Sequence, residues 1–423
     1  MKVLGIVAEY NPFHNGHLYH LEQSKAACGA DCAVCVMSGN FIQRGEPALA
    51  EKRARAEMAL RAGIDLVLEL PVVYAMSSAE YFAHASVKIL DSLGAVDFLS
   101  FGSEAGSLDA LDAIAEVLVR EPPEFTEPLK KSLSEGLSYP SAREAALRAC
   151  FQALKAPAVK AEDIMKNSNN ILGIEYLKAL KRIRSGITPF TVKRSGNSYN
   201  TGLLTGSISS ATAIRRHIAQ NPGDSCLKGL DNALPPSSLE ILEREFRLGK
   251  GPVFPGSFSP ILLSCLRRMT VDEIRDLPYV SEGLENRIKE AAENTLSLEG
   301  LTDAIGTRRY TDTRIRRVLF SLLTGMKGWE FDRFNEAGGP QYIRILGFSE
   351  KGRKLLSAAR KKALLPIITK AADYKDSGDP LLARMLEIEA AATDQYVLAF
   401  KSPLYGRAGL EFTGNVIRCQ TGL

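Results

Sequence analysis

Two histidines, His14 and His17, flank Asn15 and Gly16 a few residues beyond an apolar run over residues 3–8. Imidazole N–H groups can donate to phosphate oxygens and follow negative charge as it moves among them during phosphoryl transfer. Gly16 lets a ligand approach the main chain where a side chain would clash. If the run is a strand and a helix begins near His17, both rings stand beside unpaired N–H groups and the positive end of a helix dipole. The chemistry indicated is attack on the α-phosphate of a nucleoside triphosphate. His-x-Gly-His alone is a weak pattern, and its place directly after a near-continuous apolar strand strengthens it.

The elements around it must form the site. Strands read at 31–37, 64–70 and 96–102 alternate with helices at 48–62 and 78–93, the first an amphipathic helix carrying Lys52, Arg53 and Arg55. Repeated βα units predict an α/β fold with a doubly wound parallel sheet, a Rossmann-like arrangement whose ligands sit at the carboxyl ends of strands. His14, the loop 38–44 and Gly102 to Glu104 all fall at such ends. Proline-jointed helices follow over 121–165, and Asn169 or Asn170 can cap an apolar helix at 172–180. A strand at 188–194 ends in Lys193 and Arg194. Ser207, Ser209 and Ser210 then open a helix bearing Arg215, either a second phosphate-binding arrangement or an ordinary cap. Beyond Pro222 the alternation stops. Helices are expected at 272–274, 285–296, 312–323 and 352–363, with short strands at 396–400 and 410–417. The chain therefore divides into an ATP-binding catalytic domain, 1–222, and a mainly helical, basic domain, 223–423.

Composition bounds the alternatives. The 423 residues, 45% apolar and 24% charged, match a soluble globular protein too long for one ordinary core. No run approaches the roughly 18 apolar residues of a membrane span, and no signal-peptide pattern is present, so no membrane role is expected. Seven cysteines, an odd number, indicate reduced thiols and a cytoplasmic location. Cys28, Cys32 and Cys35 have the spacing of an iron–sulfur motif. In an extended strand, however, Cys32 and Cys35 point to opposite faces, so neither an iron–sulfur cluster nor zinc is expected and the metal-ligand set is empty. Net charge is only +4, yet Lys and Arg outnumber Asp and Glu about two to one over residues 301–375. Such a segment suits a polyanion, with Arg308, Arg309, Arg316, Arg317 and Lys361 as contacts to RNA phosphates.

The string GIVAEYNPFHNGHLYH at 5–20 resembles the HxGH nucleotidyltransferase superfamily. With MSGNFIQRGEPA at 37–48, SNNILGIEY at 168–176 and SSATAIR at 209–215, it is similar to the bacterial tRNA(Met) cytidine acetate ligases over essentially its full length. The resemblance implies activation of acetate by ATP, giving acetyl-adenylate and pyrophosphate. Acetyl transfer to the wobble cytidine of elongator tRNA(Met) then yields acetylcytidine and AMP. It implies an ATP site built from Val7, Ala8, Glu9, Tyr10, Asn11, Pro12, Phe13, His14, Asn15, Gly16, His17, Leu18, Tyr19 and His20, with Gly102, Asn169 and Arg194. Arg215 joins the triphosphate tail, and His14 and His17 are the catalytic pair. Tyr10, Asn40 and Arg44 are expected on the substrate side by loop position, and magnesium is expected on the triphosphate. No general base stands out for acetyl transfer. Two other readings stay open: a small-molecule nucleotidyltransferase without RNA, and an RNA-associated nucleotide-binding protein without catalysis.

Overall fold

The computed structural model describes residues 1–154, 161–194, 209–281, 283–307, 310–374 and 378–419. Ser207, Arg308 and Arg309 lie outside the described residues. Val3–Ala8 (β1), Cys32–Ser38 (β2), Leu66–Leu70 (β3), Phe98–Ser103 (β4) and Thr188–Lys193 (β5) run parallel in the spatial order β3-β2-β1-β4-β5. Asn15–Cys28 (α1), Lys52–Arg61 (α2), Ala79–Ser92 (α3) and Ser168–Ile183 (α4) lie between these strands in sequence, and Ala211–Gln220 (α5) follows β5. Both faces of the sheet are covered, so its strands are apolar on both sides. Val34 and Val36 enter one core, and Ala33, Cys35 and Met37 enter the other. The same alternation splits Cys32 from Cys35. Burial pushes both thiols up to about 12, away from the thiolate a metal ligand must be.

The sheet does not stop at residue 222. Ile343–Ser349 (β6) pairs antiparallel with β3, Ile367–Ile368 (β7) pairs with β6, and Ile417–Cys419 (β8) lies parallel to β6 at the far edge. The eight strands draw on both halves of the chain, with one antiparallel junction in an otherwise parallel array. The expected 1–222 and 223–423 boundary therefore runs through the sheet. The second half is otherwise largely helical and includes Asp312–Thr324 (α6), Glu350–Ala359 (α7) and Pro380–Tyr396 (α8). The strands expected at 396–400 and 410–417 are instead the end of α8 running into a tight turn, Val397–Ala399, and a short helix, Leu410–Thr413. Short apolar runs carry no period that separates helix from strand.

Helix α2 departs most from its expected exposure. Lys52 and Arg55 are fully buried. Lys52 Nζ lies 2.7 Å from Glu69, 3.1 Å from Glu389 and 2.6 Å from Glu411. Arg344 of β6 stands 3.2 Å from Glu411. The Arg55 guanidinium donates to the carbonyls of Glu9, Ser38, Gly39 and Ala50. One cation thus ties together the end of β1, the end of β2 and the approach to α2.

Candidate active site

β1 ends at Ala8, and the chain turns through Tyr10, whose φ of 46° lies in the left-handed region that a bulky residue rarely adopts. Tyr10 stays there because its ring is buried, 4.7 Å from Phe13 and 4.9 Å from His17 between centroids. It braces His17 from behind. His14 caps α1: its Nδ1 accepts from Gly16 N at 3.0 Å, and His17 Nδ1 accepts from His14 N at 3.3 Å. The two rings stack with centroids 3.8 Å apart. With each Nδ1 used as an acceptor, a neutral ring carries its proton on Nε2, the donor left for a ligand.

Both rings line a cavity of about 360 Å³ at the carboxyl ends of β1, β4 and β5. Of the implied ATP site, Val7, Ala8, Glu9, Tyr10, Asn11, Gly16, Tyr19, His20, Gly102, Asn169, Arg194 and Arg215 line it too. Pro12, Phe13, Asn15 and Leu18 do not. Phe13 is buried behind the histidines, and Asn15 is tied to residues 232 and 233 by hydrogen bonds. The sequence reading missed the apolar walls of this cavity, Phe82, Phe101, Leu172 and Tyr176. Nothing in their local pattern distinguishes them from core residues.

The asparagine pair divides. Asn170 faces the interior, accepting from Ala105 N and donating to Ile164 O. Asn169 faces the cavity, its Nδ2 donating to Glu104 Oε1 at 2.6 Å while its Oδ1 accepts from Arg194 Nη1 at 3.3 Å. Gly102 keeps this corner open, since a Cβ there would come within 3.3 Å of Arg194. Glu104 therefore orients the Asn169 amide and, through it, the guanidinium. A Glu104→Gln variant is expected to raise the KM for ATP about tenfold with little change in kcat. An unchanged KM in steady-state assays would remove this relay.

Burial, reinforced by Arg194, holds His14 at about 3 and His20 at about 4, and Arg215 adds to the effect on His14. Burial together with His14, Arg194 and His20 holds His17 well below its usual 6.5. The imidazoles are therefore neutral donors at pH 7. An unfolded chain would protonate these rings near 6.5, so it binds more protons than the native state below that pH, and stability must fall on acidification. The urea midpoint is expected to drop between pH 7 and 4.5, and to drop less in a His20→Gln variant. Equal pH slopes for the two proteins would refute the depressed values.

The residues expected to bind RNA are scattered. Arg316 lies 3.6 Å from Glu46, whose other oxygen is 3.6 Å from Arg215. Arg317 Nη1 donates to Ser77 O, and Gly45, at φ 69°, lies against the α6 backbone at this point. Arg316 is committed to the seam between α6 and the hairpin 41–47 and Arg317 to the turn before α3, so reversing their charge would disturb this packing as well as any RNA contact. Lys361 is exposed, but α7 docks through Ser349 and Gly352 onto Asp65 at the amino end of β3, the pole opposite the cavity. Asn40 is buried, accepting from Lys52 N at 2.9 Å. Arg44 stays on the cavity wall. Among the described residues no three His, Cys, Asp or Glu side chains converge to hold a metal ion, and no helix is long and apolar enough to cross a membrane.

The model of the HIGH Nucleotidyl Transferase family matches residues 1–408. The tRNA(Met) cytidine acetate ligase of Acetivibrio thermocellus is 52% identical over 99% of this chain and 100% of its own. That of Caldanaerobacter subterraneus is 46% identical with the same coverage. Two crystal structures of Thermotoga maritima TmcAL, one apo and one with alpha-thio ATP, superpose over 100% of both chains at 39% identity, with TM-scores of 0.94 and 0.92. A likeness that runs end to end at this identity, in sequence and in structure, places the chain in the HIGH nucleotidyltransferase family and, within it, among the tRNA(Met) cytidine acetate ligases.

Proposed function

We propose that the protein condenses acetate with ATP to acetyl-adenylate and pyrophosphate, then passes the acetyl group to the exocyclic amine of the wobble cytidine in elongator tRNA(Met), releasing AMP. The observation that carries this reading is the stacked, neutral His14 and His17 pair beside Arg194 and Arg215 in one cavity. In the first step an acetate oxygen attacks the α-phosphorus and pyrophosphate leaves. The Nε2–H groups donate to the phosphate oxygens as charge builds there, and their neutrality spares the site two adjacent imidazoliums. Arg194, held by Asn169, and Arg215, held by Asn11 O, steady the triphosphate. Magnesium, were ATP to carry it into the site, would neutralise part of the triphosphate charge beside Arg194 and Arg215.

The tRNA presents its anticodon at the cavity mouth. The exposed Lys351, Lys354 and Lys361 are proposed to meet phosphates on a more distant part of the same molecule. The reaction takes place in the cytoplasm, consistent with seven cysteines that form no disulfide among the described residues. The test is pyrophosphate release from ATP by the purified protein, with and without acetate and tRNA(Met). Release that depends on acetate, with labelled acetyl appearing on the RNA, supports the reading. Release that depends on another nucleophile, with no label on RNA, rejects it in favour of a small-molecule nucleotidyltransferase.

A further inference from the structure

We propose that Glu9 is the catalytic base of the acetyl-transfer step, taking the proton that the cytidine amine loses as its nitrogen attacks the acetyl carbonyl. The inference rests on the proposed function and names the group that function lacks. A cytosine amine is a weak nucleophile, and its attack leaves a proton that some acceptor at the site must receive.

The cavity offers few acceptors. His14 and His17 have committed their Nδ1 atoms to backbone amides, so the nitrogen each can turn to a ligand already bears a proton. His20 engages Ser100 through Nε2. Of the two carboxylates lining the cavity, Glu104 spends one oxygen on Asn169 and the other on Asn170 N. Glu9 accepts one hydrogen bond, to Oε1 from Gln43 N at 3.0 Å, which leaves Oε2 for a proton. Its main chain is fixed as well, since the Glu9 carbonyl accepts from the buried Arg55.

Position favours the second substrate. Glu9 is anchored to the hairpin wall that carries Gln43 and Arg44, whereas Arg194, Asn169 and Gly102 line the cavity at the ends of β4 and β5. A carboxylate repels a triphosphate, so a place in the ATP site does not by itself account for the charge that Glu9 brings there. The charged and titratable groups facing it are Arg215 from α5, Arg44 and Glu46 from the hairpin, Arg55 from α2 and Tyr176 from α4. Burial raises its pKa more than Gln43 N and Arg215 lower it, which strengthens it as a base. In the step itself, the bond from the amine nitrogen to the acetyl carbon forms. The bond from that carbon to the phosphate oxygen breaks, its electron pair leaves on AMP, and the amine proton passes to Glu9.

A Glu9→Gln variant keeps an acceptor for Gln43 N and loses only the base. Single-turnover transfer from enzyme-bound acetyl-adenylate to tRNA(Met) is expected to slow at least ~10-fold more than acetate-dependent ATP–pyrophosphate exchange, whatever the variant costs in ATP binding. The acid limb of the transfer pH profile should vanish in that variant. A Glu9→Asp variant, which retains a carboxylate, should recover part of the transfer rate. If exchange and transfer fall together, or neither falls, or Asp and Gln behave alike, Glu9 is not the base. A wild-type protein that shows no acetate-dependent exchange would instead overturn the parent function.

Discussion

Acetate-dependent pyrophosphate exchange falls by roughly 10²–10³ in a His17→Asn variant, with ATP affinity changed far less. The substitution is chosen from the cap geometry. An asparagine Oδ1 can take the place of the imidazole Nδ1 that accepts from His14 N at 3.3 Å, so α1 keeps its first turn. What disappears is the distal Nε2–H. A Gln at the same position reaches further and restores a donor near that point, so it should recover part of the rate. His14→Asn belongs to the same unit, and the double variant should lose less than the product of the single losses. If His17→Asn lowered ATP affinity and rate by the same factor, the ring would be a ground-state ligand and the assignment to the transition state would fail.

The second large effect lies away from the cavity. Lys52→Met should cost about 3–5 kcal/mol, because removing one partner of a buried ion network leaves the others charged and unsolvated. Glu69, Glu389 and Glu411 all face that one ammonium and are buried with it. Lys52 and Arg344 hold the Glu411 carboxyl well below the usual range, whereas burial and Glu389 push Glu69 up. Lowering the pH should therefore rescue the variant in part, as its orphaned carboxylates take up protons. The main-chain N–H of residue 52, which holds Asn40 Oδ1 in the loop after β2, is kept in this variant. Urea unfolding of both proteins at pH 7 and 5.5 tests this. A loss below about 1 kcal/mol at neutral pH would mean the network is not what joins the halves.

The histidine pair, the first four βα strands and the convergence on their carboxyl ends were legible because each has a local signal: an apolar run, a glycine or a charged turn. The buried state of Lys52 and Arg55 was not. A lysine on an amphipathic helix reads as solvated until its partners are known, and two of them, Glu389 and Glu411, are more than three hundred positions away. β6 escaped notice for the same reason, since Arg344 inside it looks like a solvent position but is neutralised by Glu411. Within the site, that Asn169 rather than Asn170 faces the cavity goes with its bond to Glu104, a contact no spacing rule contains. Arg316 and Arg317 show contacts of the converse kind. Clustered charge suggested an open surface, whereas Arg316 pairs with Glu46 of the hairpin and Arg317 donates to the Ser77 carbonyl.

The pairing of β3 with β6 also sets a clock. During synthesis β3 leaves the ribosome with β2 to pair on one side, while its other partner, beginning at Ile343, is still untranslated. At about 5–20 residues per second, more than 270 residues correspond to roughly 15–60 s of translation. Throughout that interval five residues buried in the finished protein present an open strand edge. Open apolar edges recruit other strands. A nascent chain stalled before Ile343 would therefore bind holdase chaperones and, if released, aggregate through its β3 edge.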